Sequence, residues 1–166
     1  MVKENIPLIL LVGVGWWGGN HLRILLKLQA AGLCRLVGVQ ANNQDVLQYI
    51  NREFGVRTFC DDRGLEEAHA VVIATPTHNH FAVAEKALMA GKAVLIEKPL
   101  TQTLEEANKL KEIHANSSQV LMVGHTFRYN PAVDHVKKLL SEGEIGNIRF
   151  LRGHFMGLRS KEQDAG

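Results

Sequence analysis

The chain has 166 residues, of which 46% are hydrophobic and 22% are charged, and its formal net charge is +2 at pH 7. This length allows one domain with a buried core and part of a second domain. The 19 basic and 17 acidic residues nearly balance, so nucleic acid is not an expected partner. Cys34 and Cys60 lie far apart without metal-ligand spacing, which favours a reducing compartment and predicts neither a disulfide framework nor a metal site.

The apolar run near the N-terminus, residues 6–14, is too short to cross a bilayer. It leads into a glycine-rich turn and not into a small-residue cleavage site, so the sequence predicts a cytoplasmic protein with no membrane partner. Within this run, the unbroken apolar stretch at residues 6–12 is typical of a parallel strand covered on both faces.

Strands and helices then alternate along the chain. Glycines 32, 55 and 91 follow helical patterns as C-terminal stops, and Thr103 with Glu106 forms a capping box at the start of another helix. This alternation predicts an α/β fold with a doubly wound parallel sheet. Predicted strands cover residues 6–12, 35–40, 56–59, 70–74, 93–96 and 120–123, and predicted helices cover residues 19–31, 44–54, 78–90 and 103–114.

The pattern changes after Gly124. Pro131 is suited to the first turn of a helix that continues to residue 141, and residues 148–155 predict a strand. We therefore expect a first domain at residues 1–124. Residues 125–166 would form a connecting helix and the first strand of a truncated α+β substrate domain.

The first predicted strand is followed at once by a GxGxxG pattern with glycines at positions 13, 15 and 18. A glycine pattern between a strand and a helix is the fingerprint of a dinucleotide-binding Rossmann domain. Gly13 would allow the tight turn, Gly15 would let the backbone approach a pyrophosphate, and Gly18 would allow close packing of helix on strand. Trp16 and Trp17 lie in the same turn and are candidate cofactor contacts, although we expect at least one of them to be a packing residue.

The end of the second predicted strand is where many NAD-binding domains carry an acidic residue for the ribose. Residues 40–43 read Gln-Ala-Asn-Asn instead, with neither a carboxylate nor an arginine. Asn42 is the candidate for the ribose contact. The cofactor is therefore expected to be NAD or NADP, without a choice between them.

Two polar segments follow the fourth and fifth predicted strands: Ala-Thr-Pro-Thr-His-Asn-His at residues 74–80 and Ile-Glu-Lys-Pro at residues 96–99. In an open α/β sheet, ligands bind outside the carboxyl ends of the strands, so these segments are expected to lie near the nicotinamide. A cap on the following helix is an alternative role for His78 and His80. The candidate cofactor-binding residues in these segments are Thr75, Pro76, Thr77, His80, Glu97 and Lys98.

The motifs GVGWWG, ATPTHNHF, EKP and GHTFRYNP occur in this order along the chain. In this arrangement the chain resembles the Gfo/Idh/MocA family of oxidoreductases over essentially its whole length. The opening GVGWWGGNHLR and the run FRYNPAVDHVKKLLSEGEIGNIRF look most like members that act on nucleotide-activated sugars.

The resemblance implies an NAD(P)-dependent enzyme that oxidises a sugar carbinol, or catalyses the reverse, by hydride transfer. It implies that Lys98 is the catalytic residue, which orients the hydroxyl or helps to move its proton. It also implies that His125 and Arg128 bind the sugar. Alternatively, His125 could be a hinge residue and Arg128 an ion-pair partner of Glu142 or Glu144.

Family members continue into a sheet domain that closes the active site and usually builds a homo-oligomer, and residues 164–166 resemble the motif that leads into it. The chain is therefore expected to be part of a longer protein, binding a dinucleotide weakly and inactive alone. A second interpretation is a non-catalytic dinucleotide-sensing regulatory module, as in a corepressor of the same family, but the complete Glu97-Lys98-Pro99 unit argues against it. A purely structural domain, with a tryptophan in the pyrophosphate site, is a third.

Overall fold

The computed structural model describes residues 6–154, and no helix in that range is long and apolar enough to cross a membrane. Most predicted elements are present with shifted ends, but the five-residue helix at Arg63–Glu67 was not predicted. Short 3-10 helices cover Thr77–Asn79 and Thr126–Tyr129. The strands are β1 (Leu8–Val12), β2 (Arg35–Gln40), β3 (Thr58–Phe59), β4 (Ala70–Ile73), β5 (Ala93–Ile96) and β6 (Leu121–Val123). The α-helices are α1 (Trp16–Ala30), α2 (Gln44–Phe54), α3 (Arg63–Glu67), α4 (His80–Met89), α5 (Leu104–Ala115) and α6 (Pro131–Ser141).

All six strands form one parallel sheet in the order β3-β2-β1-β4-β5-β6. The order reverses between β1 and β4, where Val12 pairs with Ile73 at the carboxyl ends of both strands. This topology confirms the predicted doubly wound α/β fold and creates a crevice at the reversal point. The sheet and its helices belong to one compact unit that ends at Gly124.

The sheet has an apolar core on each face, because successive strand side chains point in opposite directions. In β1, Leu10 packs in one cluster with Ile73, Ile96 and Leu110, whereas its neighbour Leu11 packs in the other cluster. Helices α1 and α2 contribute Leu22, Leu25, Leu47 and Ile50 to the second cluster. The buried strands therefore hold the loops at their carboxyl ends on a rigid base.

The described part of the second unit, residues 125–154, contains the predicted helix but not the predicted strand. Pro131 is at the start of α6, where the Asn130 side chain accepts a hydrogen bond from the Ala132 N–H. Residues 148–154 form no strand in the described structure, and the start of a second domain stays a prediction. A strand needs a hydrogen-bonded neighbour, and residues 125–154 provide none. Phe155 and residues 164–166, which also carried predictions, lie outside the described residues.

Candidate functional site

The turn between β1 and α1 excludes side chains at two of its three motif glycines. Gly13 has a φ of +91°, and a Cβ built on it would lie 2.6 Å from the Ala74 carbonyl oxygen. A Cβ on Gly18 would overlap the carbonyl oxygen of Gly13. Both glycines are therefore required by the close approach of the turn, α1 and the end of β4.

Gly15 differs, because no described atom except those of its chain neighbours lies within 4 Å of a Cβ built on it. The packing of the described chain does not require a glycine at position 15. The close approach of a ligand to the backbone would require one. Gly15 is also the N-cap of α1 and provides no capping side chain, and the first turn contains no acidic residue. The first amide groups of α1 and the positive end of its dipole are thus available to an anion.

Trp16 and Trp17 are 57% and 49% exposed, so neither is buried in the core. They lie in the first turn of α1, beyond the carboxyl end of β1, where the sheet no longer covers them. Instead, Lys98 Nζ lies 5.8 Å from the ring centroid of Trp17. Trp17 does not occupy the space beside Gly15.

The segment after β4 contains a buried polar atom without a partner. Thr75 Oγ1 is inaccessible to solvent and forms no hydrogen bond with any described residue. An orphaned hydroxyl of this kind is rare in a folded protein and suits a site that a ligand completes. Pro76 and Thr77 follow it and lead through a 3-10 turn into α4.

His80 connects two loops and does not face an open cleft. It is only 1% exposed, with Nδ1 2.8 Å from the Pro99 carbonyl oxygen and Nε2 2.9 Å from the Thr75 carbonyl oxygen. Both ring nitrogens are thus used by the backbone. His80 thus links the loops after β4 and β5, and its predicted cofactor contact stays a prediction.

The loop after β5 forms a side-chain hydrogen bond with α1 that was not predicted from the sequence. His21 Nε2 donates to Glu97 Oε1 at 2.9 Å, and Glu97 Oε2 accepts the Lys98 N–H at 3.2 Å. The Lys98 side chain is exposed, and the Lys98–Pro99 peptide is cis. His21 follows the glycine pattern closely, and this spacing was the only available signal for it.

The end of β2 contains the predicted ribose contact, Asn42, which is exposed. The adjacent Asn43 caps α2, its Oδ1 accepting from the N–H groups of Asp45 and Val46. Gln40 donates its side-chain amide to Asp62 Oδ1 at 3.2 Å. Of the amides in this segment, Asn42 is thus the one not already engaged in capping or in the Asp62 contact.

The two predicted sugar-binding residues, His125 and Arg128, belong to the second unit. Both are exposed, and the His125 carbonyl accepts the Arg128 N–H at 2.9 Å in a 3-10 turn. The Arg128 guanidinium donates to Asp134 Oδ1 at 3.2 Å. Its partner is therefore Asp134, and not Glu142 or Glu144.

A cavity of about 570 Å³ lies between α1 and α2 and contains none of the predicted site residues. Its lining is mostly apolar and includes Leu22, Leu26, Tyr49 and Phe54. Its polar side chains are those of Arg23, Lys27 and Tyr49, and none of them belongs to the loops after β1, β4 and β5.

The residues around the β1–α1 turn fit a dinucleotide. Gly15 leaves space against the backbone, α1 begins without a capping side chain, and Thr75 Oγ1 lacks a partner. These features suit an anionic pyrophosphate with hydrogen-bonding groups at its flank. A sequence profile of the Gfo/Idh/MocA oxidoreductase family, described as an NAD-binding Rossmann fold, matches residues 8–125.

The chain belongs to this family. The predicted family and the NAD(P)-binding character of its Rossmann domain are therefore confirmed. The share of the chain covered by the profile includes every strand of the sheet.

Relatives in this family act on several sugars. UDP-N-acetylglucosamine 3-dehydrogenase of Acidithiobacillus ferrooxidans is 38% identical over 128 residues, which are 76% of this chain and 39% of that protein. Its solved structure has a TM-score of 0.71 at 37% identity and covers 80% of this chain and 42% of the other. D-xylose 1-dehydrogenase [NADP(+)] of Haloarcula marismortui is 30% identical and covers 91% of this chain and 43% of the relative.

The structure of the WlbA dehydrogenase from Bordetella pertussis, in complex with NADH and UDP-GlcNAcA, has a TM-score of 0.78 at 26% identity. The similarity covers 88% of this chain and 42% of the WlbA chain. The two nucleotide-sugar proteins support the predicted likeness to that subgroup. The chain spans about two fifths of the length of these relatives.

Proposed function

We propose that this chain is the cofactor-binding part of an NAD(P)-dependent dehydrogenase acting on a carbinol of a sugar or nucleotide sugar. The observation that carries the proposal is the proximity of Lys98 to the glycine turn, with Nζ 5.8 Å from the Trp17 ring in the first turn of α1. The Lys98 amine, a group able to take part in proton transfer, thus lies beside a site suited to a dinucleotide. A domain used only for binding would not need that lysine.

In this proposal, Gly13, Gly15 and Gly18 shape the pyrophosphate site and the first amides of α1 bind its oxygens. The dinucleotide, when bound, supplies the hydride acceptor or donor. The Lys98 amine binds the reacting hydroxyl and receives its proton as the carbinol becomes a carbonyl. The remaining proposed cofactor contacts are Trp16, Trp17, Asn42, Thr75, Pro76, Thr77 and Glu97, with His80 holding the loops.

The chain spans less than half of the length of its relatives. The substrate, oligomeric state and location of the whole protein are therefore proposed here. We propose a nucleotide sugar as the substrate, since two relatives carry such sugars in their names or complexes. His125 and Arg128 would bind it. A homo-oligomer is expected from the resemblance, and a cytoplasmic location agrees with the free thiols of Cys34 and Cys60. The 166-residue chain alone would bind cofactor without turning over sugar.

The test uses Gly15 and a matched glycine on the same helix. A Cβ on Gly19 also meets nothing within 4 Å, yet Gly19 lies one turn beyond Gly15 in α1. We expect calorimetric titration to show binding of NAD or NADP by the unmodified chain. Gly15→Leu should weaken this binding at least about tenfold by blocking the pyrophosphate, and Gly19→Leu should leave it within about twofold.

Thermal unfolding of both variants controls for loss of structure. Equal affinity of the Gly15→Leu and Gly19→Leu proteins would contradict a pyrophosphate site at Gly15. Absence of NAD and NADP binding by the unmodified chain would contradict a self-sufficient cofactor site. Sugar oxidation by that chain would contradict the proposed need for further residues.

A further inference from the structure

Helix α1 contacts two consecutive residues of the loop after β5 through one of its faces. Trp17 and His21 are four positions apart, so their side chains lie one above the other on the helix. The Trp17 ring lies beneath Lys98 Nζ at 5.8 Å, and His21 Nε2 lies 2.9 Å from Glu97 Oε1. The same helix that begins at the glycine turn therefore also supports the loop that carries the lysine.

The Glu97 carboxylate is held from several directions. Its side chain is 14% exposed and that of His21 is 22% exposed, so water only partly solvates the pair. The second carboxylate oxygen accepts the Lys98 N–H at 3.2 Å. Gly124, directly after β6, lies against the carboxylate, because a Cβ built there would be in contact with it at 3.4 Å.

A partly buried carboxylate that loses a charge-assisted hydrogen bond is costly to keep in place. Without the His21 N–H, the Glu97 side chain would turn toward water and release the Lys98 backbone. Lys98 is itself exposed, so its position depends on contacts with its neighbours. Loss of the bond at His21 would therefore be transmitted through Glu97 to the lysine.

We infer that His21 is a positioning residue, which holds Glu97 and thereby fixes Lys98 beside the nicotinamide half of the cofactor site. The inference rests on the proposed function. The adenosine and pyrophosphate contacts lie at Gly15 and at the end of β2, and they do not involve Glu97. His21 should consequently affect the nicotinamide half of the ligand selectively.

The test compares two ligands on the full 166-residue chain. NAD contains the nicotinamide, whereas ADP provides only the adenosine and pyrophosphate. We expect His21→Ala to weaken NAD binding by about fivefold to tenfold in calorimetric titration and to change ADP binding by less than about twofold. A general loss of structure would weaken the binding of both ligands equally.

His21→Gln is the conservative variant, since its side-chain amide can donate to Glu97 from a position close to that of Nε2. We expect it to recover NAD affinity to within about twofold of the unmodified chain. An unchanged ratio of NAD to ADP affinity in His21→Ala would overturn the inference, as would failure of the glutamine variant to recover binding.

Failure of the proposed function gives a different result. If the unmodified chain binds neither ligand, or if binding does not depend on Gly15, the cofactor site itself is wrong. If binding depends on Gly15 but the ratio of NAD to ADP affinity is the same in His21→Ala and the unmodified chain, only the positioning role is wrong.

Discussion

Residues 6–124 and residues 125–154 use apolar side chains in opposite ways. The first region buries leucines, isoleucines and valines on both faces of its sheet, and several have no exposed surface. No residue of the second region is buried, and Val133 and Val136 of α6 are 38% and 46% exposed. Helix α6 nevertheless has a proline start and an asparagine cap. Local signals can thus specify a helix without providing a core for it.

The largest effect expected from this comparison concerns core truncation. Leu110 in α5 has no exposed surface and packs in the first cluster. Leu110→Ala should lower the free energy of unfolding by about 2 to 5 kcal/mol, because it removes buried methyl groups and leaves a cavity. Val136→Ala, the control in α6, should cost less than about 0.5 kcal/mol. Urea denaturation measures both values, and equal losses would show that α6 is buried in solution.

A smaller effect is expected when the second region is removed altogether. Every residue in the two core clusters precedes Gly124, so residues 1–124 should unfold as one cooperative unit. We expect their Tm to lie within about 4 °C of that of the 166-residue chain in differential scanning calorimetry. A broad transition without a heat-absorption peak would contradict this and also the predicted domain boundary, which remains a prediction.

The smallest effect concerns a surface ion pair in each region. Lys86 and Gln40 hydrogen-bond to Asp62, and chiefly the Lys86 bond lowers the pKa of that carboxyl below its ordinary value of 3.8. Because the pKa is lowered in the folded state, the stabilisation is complete above pH 3.8 and is lost as the pH falls through the lower folded value. Both side chains of the pair are about half exposed, so we expect less than about 1 kcal/mol.

Lys86→Met should therefore cost a little stability at neutral pH and nothing at a pH below the folded pKa of Asp62. The matched control is Lys138→Met, which removes the Lys138–Glu142 pair of α6, whose charged atoms are 3.8 Å apart. Loss of about 0.3 kcal/mol or less is expected there. Urea denaturation across acidic and neutral pH distinguishes the two, and a pH-independent cost of Lys86→Met would exclude the role assigned to Asp62.

Much of the fold could be predicted because its signals are local. The Thr103 and Glu106 capping box is present as predicted, and Gly55 adopts the left-handed conformation expected at the end of α2. Helix α3 was not predicted, since it is only five residues long and its N-cap residue, Asp62, makes no side-chain capping hydrogen bond. Its Gly64 is needed for a contact that no local pattern reveals, because a Cβ there would lie 2.8 Å from Leu10 and Phe59 side-chain atoms.

The candidate site was predicted in part. The glycine pattern, Thr75 and Lys98 could be recognised because each follows a strand at the edge where ligands bind in such folds. The sequence could not distinguish Gly15 from Gly13 and Gly18 by what surrounds them, and it did not indicate that His80 is buried. These properties depend on which loops approach one another.

The sequence alone is sufficient for the alternation of the six strands with the longer helices and for the family, because these follow from local patterns and from short motifs, each made of residues close together in the chain. The His21–Glu97 pair joins residues 76 positions apart, and the His80 bond to Pro99 spans 19 positions. Such contacts require the parallel pairing of β4 with β5 and the packing of α1 above the reversal in strand order. Only the assembled sheet brings these residues together, because their separation along the chain carries no information about their distance in space.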